Sequence, residues 1–175
     1  GSRMYQLKSL KSFALVSCRM EPGDDSSIPW VPLPPHGLPK NTRDWAAAYP
    51  ECCDATCQAP FLPTRKAGID RMLTWASVSA DDVVCDLGFG DGRFLIRAAS
   101  TIGCRCIGAE INKDMVQRAI SDAASAGDVV AALVRFTECP FERFMLTTEF
   151  AAATVIYVFL VTDVLANLAP QLRDR

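Results

Sequence analysis

The segment Asp86-Leu87-Gly88-Phe89-Gly90-Asp91-Gly92-Arg93 sets an acid two residues before the first of three alternating glycines. Glycines at that spacing let the backbone turn sharply and let a ligand approach the main chain closely. A helix starting just after them turns its N-terminus toward the ligand's anionic end. The spacing is G-x-G-x-G, whereas the dinucleotide fingerprint G-x-G-x-x-G needs Gly or Ala where Arg93 stands. Nicotinamide dinucleotides are therefore disfavoured. A second acid, Glu110, follows 22 positions after Gly88. A carboxylate there can accept hydrogen bonds from both hydroxyls of a ribose and would repel a 2′-phosphate.

Other reactive side chains point less clearly to chemistry. Among eight cysteines, Cys52, Cys53 and Cys57 could join His36 as four zinc ligands. Their Cys-Cys-x-x-x-Cys spacing lacks the paired knuckles of structural zinc sites, so no metal is expected. Cys104 and Cys106 lie two apart on one predicted strand, share a face and are expected to pack as small hydrophobes. His36 is the sole histidine and sits in a proline-rich arm, where it reads as a surface loop residue rather than part of a proton relay. Arg65-Lys66 reads as a solvated face, with an acidic partner as the sharper alternative.

The elements that must position the glycine loop follow from periodicity. Nine of the 11 prolines fall between Pro22 and Pro63, which predicts an extended arm with at most a short helix around Trp45 to Tyr49. Thr64 is a candidate N-cap for a helix whose apolar face is Ile69, Met72, Leu73 and Ala76. Asp82 to Leu87 reads as a strand leading into the glycines, and Phe94, Leu95, Ala98, Ala99 and Ile102 mark the helix after them. Arg105 to Ala109 is the next strand. Asn112 caps a helix with Met115, Val116, Ala119, Ile120 and Ala123 inward, and Gly127 ends it. Val129 to Phe136 reads as a third strand, followed by a loop through Cys139-Pro140-Phe141. Thr154 to Val161 reads as a central strand buried on both faces, and Asp163 to Leu172 as a last helix. Strands alternating with helices predict a doubly wound, mostly parallel α/β sheet. Residues 1–60 then form an N-terminal arm and 61–175 the ligand-binding core.

Composition narrows the partners. With 175 residues, 50% hydrophobic and 22% charged, the chain can bury a core, and disorder throughout is excluded. Eighteen basic against 20 acidic residues give a net charge of −2, without the positive excess of a duplex-binding surface. Nucleic acid is disfavoured as the main partner. The longest apolar stretch, Phe150 to Val161, has 12 residues and is too short to cross a bilayer, so it reads as a buried strand and no transmembrane segment is expected. No signal peptide is visible, which predicts an intracellular setting, cytoplasmic or mitochondrial. Arg3, Lys8, Lys11 and Arg19 among serines and without an acid match a mitochondrial presequence as well as an ordinary strand or helix.

Asp86-Leu87-Gly88-Phe89-Gly90-Asp91-Gly92 with Glu110 resembles the cofactor site of the class I S-adenosylmethionine-dependent methyltransferases, over roughly Phe61 to Leu172. The resemblance implies a Rossmann-like fold and S-adenosyl-L-methionine as cofactor. It implies that Gly88, Phe89, Gly90 and Gly92 cradle the methionine part, that Asp86 orients its amino group and that Glu110 binds ribose. Phe89 stands where a small residue or cysteine is common. The Asp/Asn-Pro-Pro-aromatic motif of amino-methylating nucleic-acid enzymes is absent after the fourth core strand. Phe61-Leu62-Pro63-Thr64 and Ile156-Tyr157-Val158-Phe159-Leu160 instead resemble the seven-strand protein-lysine methyltransferases related to the non-SET histone lysine enzyme. Among these are the enzymes that modify mitochondrial carriers and ATP-synthase c subunits. By this resemblance Pro63 and Thr64 close over the cofactor, Glu138 lies near adenine, and Tyr157 lines the acceptor channel as the candidate catalytic residue. Tyr157 reads equally as a packed strand aromatic. The expected substrate is a protein lysine, methylated by in-line displacement, which needs alignment and exclusion of water more than a strong base.

A sheet of this family has seven strands, and the alternation here reaches only the fourth before the chain stops. A strand as apolar as Val155 to Val161 would aggregate as an open edge. Ser12 to Cys18 is the remaining strand-like segment, and it is expected to replace the fifth strand in a rearranged, permuted sheet. A shortened chain, or a homodimer through an open sheet edge, are the alternatives. Functionally, the leading expectation is a protein-lysine methyltransferase. The alternative is a catalytically inactive cofactor-binding interaction subunit, which turnover would separate, and a nicotinamide oxidoreductase ranks third.

Overall fold

The computed structural model describes residues 12–16, 61, 63–160 and 162–173. Five parallel strands form one sheet: β1 (Ser12–Val16), β2 (Val83–Leu87), β3 (Arg105–Glu110), β4 (Val134–Glu138) and β5 (Val155–Phe159), in the spatial order β1-β5-β2-β3-β4. The helices are α1 (Lys66–Trp75), α2 (Arg93–Ile102), α3 (Lys113–Ser125), α4 (Asp128–Leu133), the short α5 (Phe141–Phe144) and α6 (Thr162–Arg173).

Side-chain alternation along the strands divides the core into two layers. Val83, Cys85, Leu87, Ile107, Ile156 and Val158 face Phe144, Met145, Phe150 and the inner face of α6 at Leu165, Leu168 and Leu172. Val84, Cys106, Val155 and Tyr157 face α1, α2 and α3 through Ile69, Leu73, Leu95, Ala98, Val116 and Ala119. Both faces of β2 and β5 are thus buried, as continuous apolar runs in a parallel sheet require.

From β2 the chain steps outward to β3 and β4, then returns to the opposite side of β2 as β5. β1 runs parallel to β5 in the register Ser12–Val155 to Val16–Phe159, the place expected for the N-terminal segment. β5 is therefore an interior strand, and the apolar edge invoked for a homodimer is covered by β1 within the chain. Residues 17 and 18 of the predicted strand, the Trp45–Tyr49 segment, and His36 with Cys52, Cys53 and Cys57 lie outside the described residues.

Several boundaries differ from the sequence expectation. Residues 129–133 form α4 rather than the start of a strand: Gly127 turns the chain, Asp128 supplies an acid to the first turn, and Ala131, Ala132 and Leu133 favour helix. The Phe150–Val161 run is not one strand. Thr147 Oγ1 accepts the Phe150 amide at 3.1 Å and starts a 3₁₀ turn over Phe150–Ala152, so β5 begins only at Val155. The segment after Cys139 contains the helical turn α5 instead of an open loop. Ile120 is 47% exposed and does not join the inner face of α3, whereas Asn112 caps that helix as expected, accepting from the Asp114 and Met115 amides. Cys104 precedes β3 rather than lying in it, but it and Cys106 are both buried, with their sulfurs 3.8 Å apart. Thr64 does not cap α1. Arg65 occupies that position in an extended conformation, and the Thr64 hydroxyl is engaged elsewhere.

Candidate functional site

β2 delivers the glycine loop to its position. Gly88, Gly90 and Gly92 have φ of +82°, +57° and +75°, left-handed steps that L side chains resist. Two of them also lack space. A Cβ on Gly90 would lie 2.6 Å from the Phe61 ring, and one on Gly92 would lie 2.8 Å from both Ala119 and Phe136. The loop is tied to β3 by Glu110. Its Oε2 accepts the Gly90 amide at 2.9 Å and its Oε1 accepts the Asn112 amide, also at 2.9 Å. One carboxylate therefore fastens the loops that follow β2 and β3 together.

Sheet register sets the floor of the pocket. Asp86 lies beside Gly108 on one neighbouring strand and Tyr157 on the other. A Cβ at Gly108 would fall 2.7 Å from the Asp86 carbonyl and 2.9 Å from Leu95 and Phe89, so glycine there lets the strands and rings close up. Asp86 is buried, and its Oδ1 has no hydrogen-bond partner among the described residues. Burial raises the Asp86 carboxyl well above the usual carboxylate range, and the negative charges of Glu110 and Asp91 add to that.

The pocket above Asp86 is a cavity of about 60 Å³ that opens to solvent. Its walls are the glycine loop from Gly88 to Asp91, the end of β5 at Tyr157, Phe159 and Leu160, and the segment before α1 at Phe61, Pro63 and Thr64. Tyr157 is both a packed aromatic and a pocket residue. Its ring stacks on Phe94 at 3.9 Å with an 8° interplanar angle, while its hydroxyl lies 3.0 Å from Thr64 Oγ1.

No protein-family model matches the chain. A protein-lysine N-methyltransferase of Saccharolobus islandicus (strain REY15A) is 34% identical over 114 residues, which cover 65% of this chain and 67% of the relative. The crystal structure of an RNA methyltransferase from Salinibacter ruber in complex with S-adenosyl-L-homocysteine is 42% identical, with a TM-score of 0.58, over 65% of this chain and 70% of that one. The chain belongs to the S-adenosylmethionine-dependent methyltransferases. A shorter likeness runs over 38 residues, where a Dictyostelium discoideum histone-lysine N-methyltransferase specific for H3 lysine 79 is 47% identical; it covers 22% of this chain and 2% of that protein.

The methyltransferase pocket fits S-adenosylmethionine on its own chemistry. A buried carboxylate oxygen without a donor calls for a cation or an N–H group, and the cofactor's methionine amino group is both. Of the residues expected from sequence, Pro63, Thr64, Asp86, Gly88, Phe89, Gly90 and Tyr157 meet at this pocket. Gly92, Glu110 and Glu138 do not line it. Gly92 starts α2, Glu110 braces the loop from behind, and Glu138 is exposed at the end of β4, in register with Glu110. Sequence reasoning missed the roles of Phe61, Asp91 and Arg93. Asp91 is buried and holds Arg93 through bonds of 2.9 Å to Nε and 2.6 Å to Nη2. An acid two residues before a basic residue at the start of a predicted helix was the available signal.

Proposed function

We propose that this methyltransferase transfers methyl groups to a lysine amine of a protein, with residues 61–175 as its methyltransferase core and 1–60 as an N-terminal arm. The observation that carries the reading is the unpartnered Asp86 oxygen beneath a pocket whose upper walls are the Phe61, Phe159 and Tyr157 rings. In this reading Asp86 takes the cofactor's amino group, and the backbone of Gly88, Phe89, Gly90 and Gly92 follows its methionine part. Glu110 takes the ribose hydroxyls, Glu138 stands near adenine, and Pro63 and Thr64 cover the cofactor. S-adenosylmethionine, when bound, supplies an electrophilic methyl group on a sulfonium centre. The chain's part is alignment and desolvation. Loss of hydration on entering this side of the pocket disfavours an ammonium ion and so favours the neutral, nucleophilic form of an incoming lysine. The Thr64–Tyr157 hydroxyl pair supplies polar atoms against that wall, and Tyr157 would orient the amine from there.

The likeness to the Saccharolobus islandicus protein-lysine enzyme and the acidic overall charge support lysine as acceptor. The Salinibacter ruber relative is described as an RNA methyltransferase, so the test carries an RNA arm. The full chain is incubated with radiolabelled S-adenosylmethionine and either a mixed protein extract or total RNA. Label is expected on protein, released as methyllysine after hydrolysis, and reduced at least tenfold by Tyr157→Phe at saturating cofactor. Label on RNA alone would overturn the acceptor. Cofactor binding without any transfer would favour the interaction subunit.

A further inference from the structure

Around the pocket mouth, three side chains outside the expected binding set form a connected structure. Asp91, buried at the turn of the glycine loop, accepts Arg93 Nε and Nη2 at 2.9 and 2.6 Å, and its Oδ1 also faces the Arg93 amide at 3.3 Å. The guanidinium so fixed lies over the Phe61 ring, 5.9 Å from its centroid. The edge of that ring in turn rests on Gly90, in the space a Cβ would occupy. The stretch from Phe61 to Thr64 is thereby fastened at two ends: Phe61 to the glycine loop and Thr64 to Tyr157 on β5. The pocket lies between the two fastenings, with Phe61, Pro63 and Thr64 among its lining.

We propose that Arg93 is a positioning residue for cofactor retention: clamped by Asp91, it holds Phe61 over Gly90 and so keeps the strap of Phe61, Pro63 and Thr64 against the pocket. The inference rests on the pocket being the S-adenosylmethionine site. A ligand bound beside Phe61, Pro63 and Thr64 is held in part by these fastenings, so weakening the Arg93–Phe61 contact is expected to shorten its stay. The guanidinium is 29% exposed, which places the contact at the modest end of cation–π energies. Asp91 has a second basic neighbour, Arg118, at 4.0 Å, so loss of Arg93 does not leave it without a counter-charge.

The test follows dissociation of S-adenosylhomocysteine from the full chain by stopped flow, alongside calorimetric affinity, in wild type, Phe61→Leu, Phe61→Trp, Arg93→Gln and the Phe61→Leu/Arg93→Gln double variant. Release is expected to quicken about two- to fivefold in each of the Leu and Gln variants. The double variant is expected to be no faster than the quicker single, and Trp, which keeps an aromatic face, to stay near wild type. Phe61→Leu leaves the Asp91–Arg93 pair intact and so reads the contact even if Arg93→Gln folds poorly. Wild-type binding with release unchanged in Phe61→Leu, or with strictly multiplicative effects in the double variant, overturns the strap. A wild-type chain that binds no S-adenosylhomocysteine overturns the underlying site assignment instead.

Discussion

Replacing Glu110 by Gln tests whether one carboxylate holds two loops. Glu110 presents an oxygen to each of two amides, Gly90 and Asn112, both at 2.9 Å. A glutamine has one oxygen and one amino group, so whichever way it turns, a donor meets a donor. The retained bond also loses its charge. Hydrogen bonds to charged groups contribute about 1.5–3 kcal/mol and neutral ones about 1 kcal/mol. One bond weakened and one forfeited sum to roughly 2–4 kcal/mol, and half-burial of Glu110 lets water recover part of that. About 2 kcal/mol is the expected loss, which for a chain of this size lowers Tm by roughly 4–8 °C. Glu110→Ala leaves a gap that water can enter to solvate both amides, so the isosteric change is expected to be at least as damaging as truncation. Thermal unfolding followed by circular dichroism, with and without S-adenosylhomocysteine, gives the ranking. Both variants should also lose S-adenosylhomocysteine affinity at least tenfold. A Gln variant melting within about 1 °C of wild type, or clearly above the Ala variant, would refute the bridge.

Asp86→Asn replaces a buried acid whose Oδ1 has no partner among the described residues, so free-protein stability should hold or rise while S-adenosylhomocysteine affinity falls at least tenfold in calorimetry. Comparing Gly92→Ala with Gly103→Ala separates backbone from packing: φ is +75° and +77°, but only at Gly92 would the new Cβ meet neighbours, at 2.8 Å. Urea unfolding should show about 1 kcal/mol lost at Gly103 and at least about 2 kcal/mol at Gly92, and equal losses would contradict the close approach. A third prediction concerns protons. The Asp86 carboxyl is raised above its ordinary value of 3.8, first by burial and then by Glu110 and Asp91. Between that ordinary value and the raised one, the folded chain holds a proton the unfolded chain lacks. Stability should therefore fall as pH rises through this window and level off above it. The ligand's ammonium favours the ionised carboxylate, so affinity should rise with pH in the same window and binding should release a proton. Calorimetry in buffers of different ionisation heat detects this, and proton uptake would contradict it.

Much of this architecture is legible in sequence because it rests on short-range rules. β2, α2, β3 and α3 carry clear periodicity, and Asn112 is a polar cap just ahead of an apolar helical face. The pairing of Ser12–Val16 with β5 followed from an edge argument: Val155 to Phe159 is too apolar to stand open. What failed depended on competition between neighbours. Val129 and Val130 favour strand, yet Gly127 and Asp128 start a helix and the alanines carry it on. Thr64 has the residue type of a cap, but a hydroxyl 93 residues away outbids the local amides. The acids were found by spacing, whereas the Asp91–Arg93–Phe61 contact was not, because it joins a loop to a segment remote in sequence.

The strand order explains why these distant pieces meet. Chain direction across the sheet reverses between β2 and β5, since one successor of β2 lies to one side and β5 to the other. At such a reversal the loops after the two strands diverge and leave a crevice at their carboxyl ends. Asp86 and the glycine loop come from β2, and Tyr157, Phe159 and Leu160 come from β5. The acids of the site therefore come from the β2 flank, and Tyr157, Phe159 and Leu160 from the other. The segment from Phe61 to Thr64 bridges those flanks, touching Gly90 and Arg93 on the first and Tyr157 on the second. A residue placed on either flank can thus alter occupancy of the pocket without touching its floor. That is why Phe61→Leu and Asp86→Asn are expected to separate kinetically, the first acting on release and the second on binding itself.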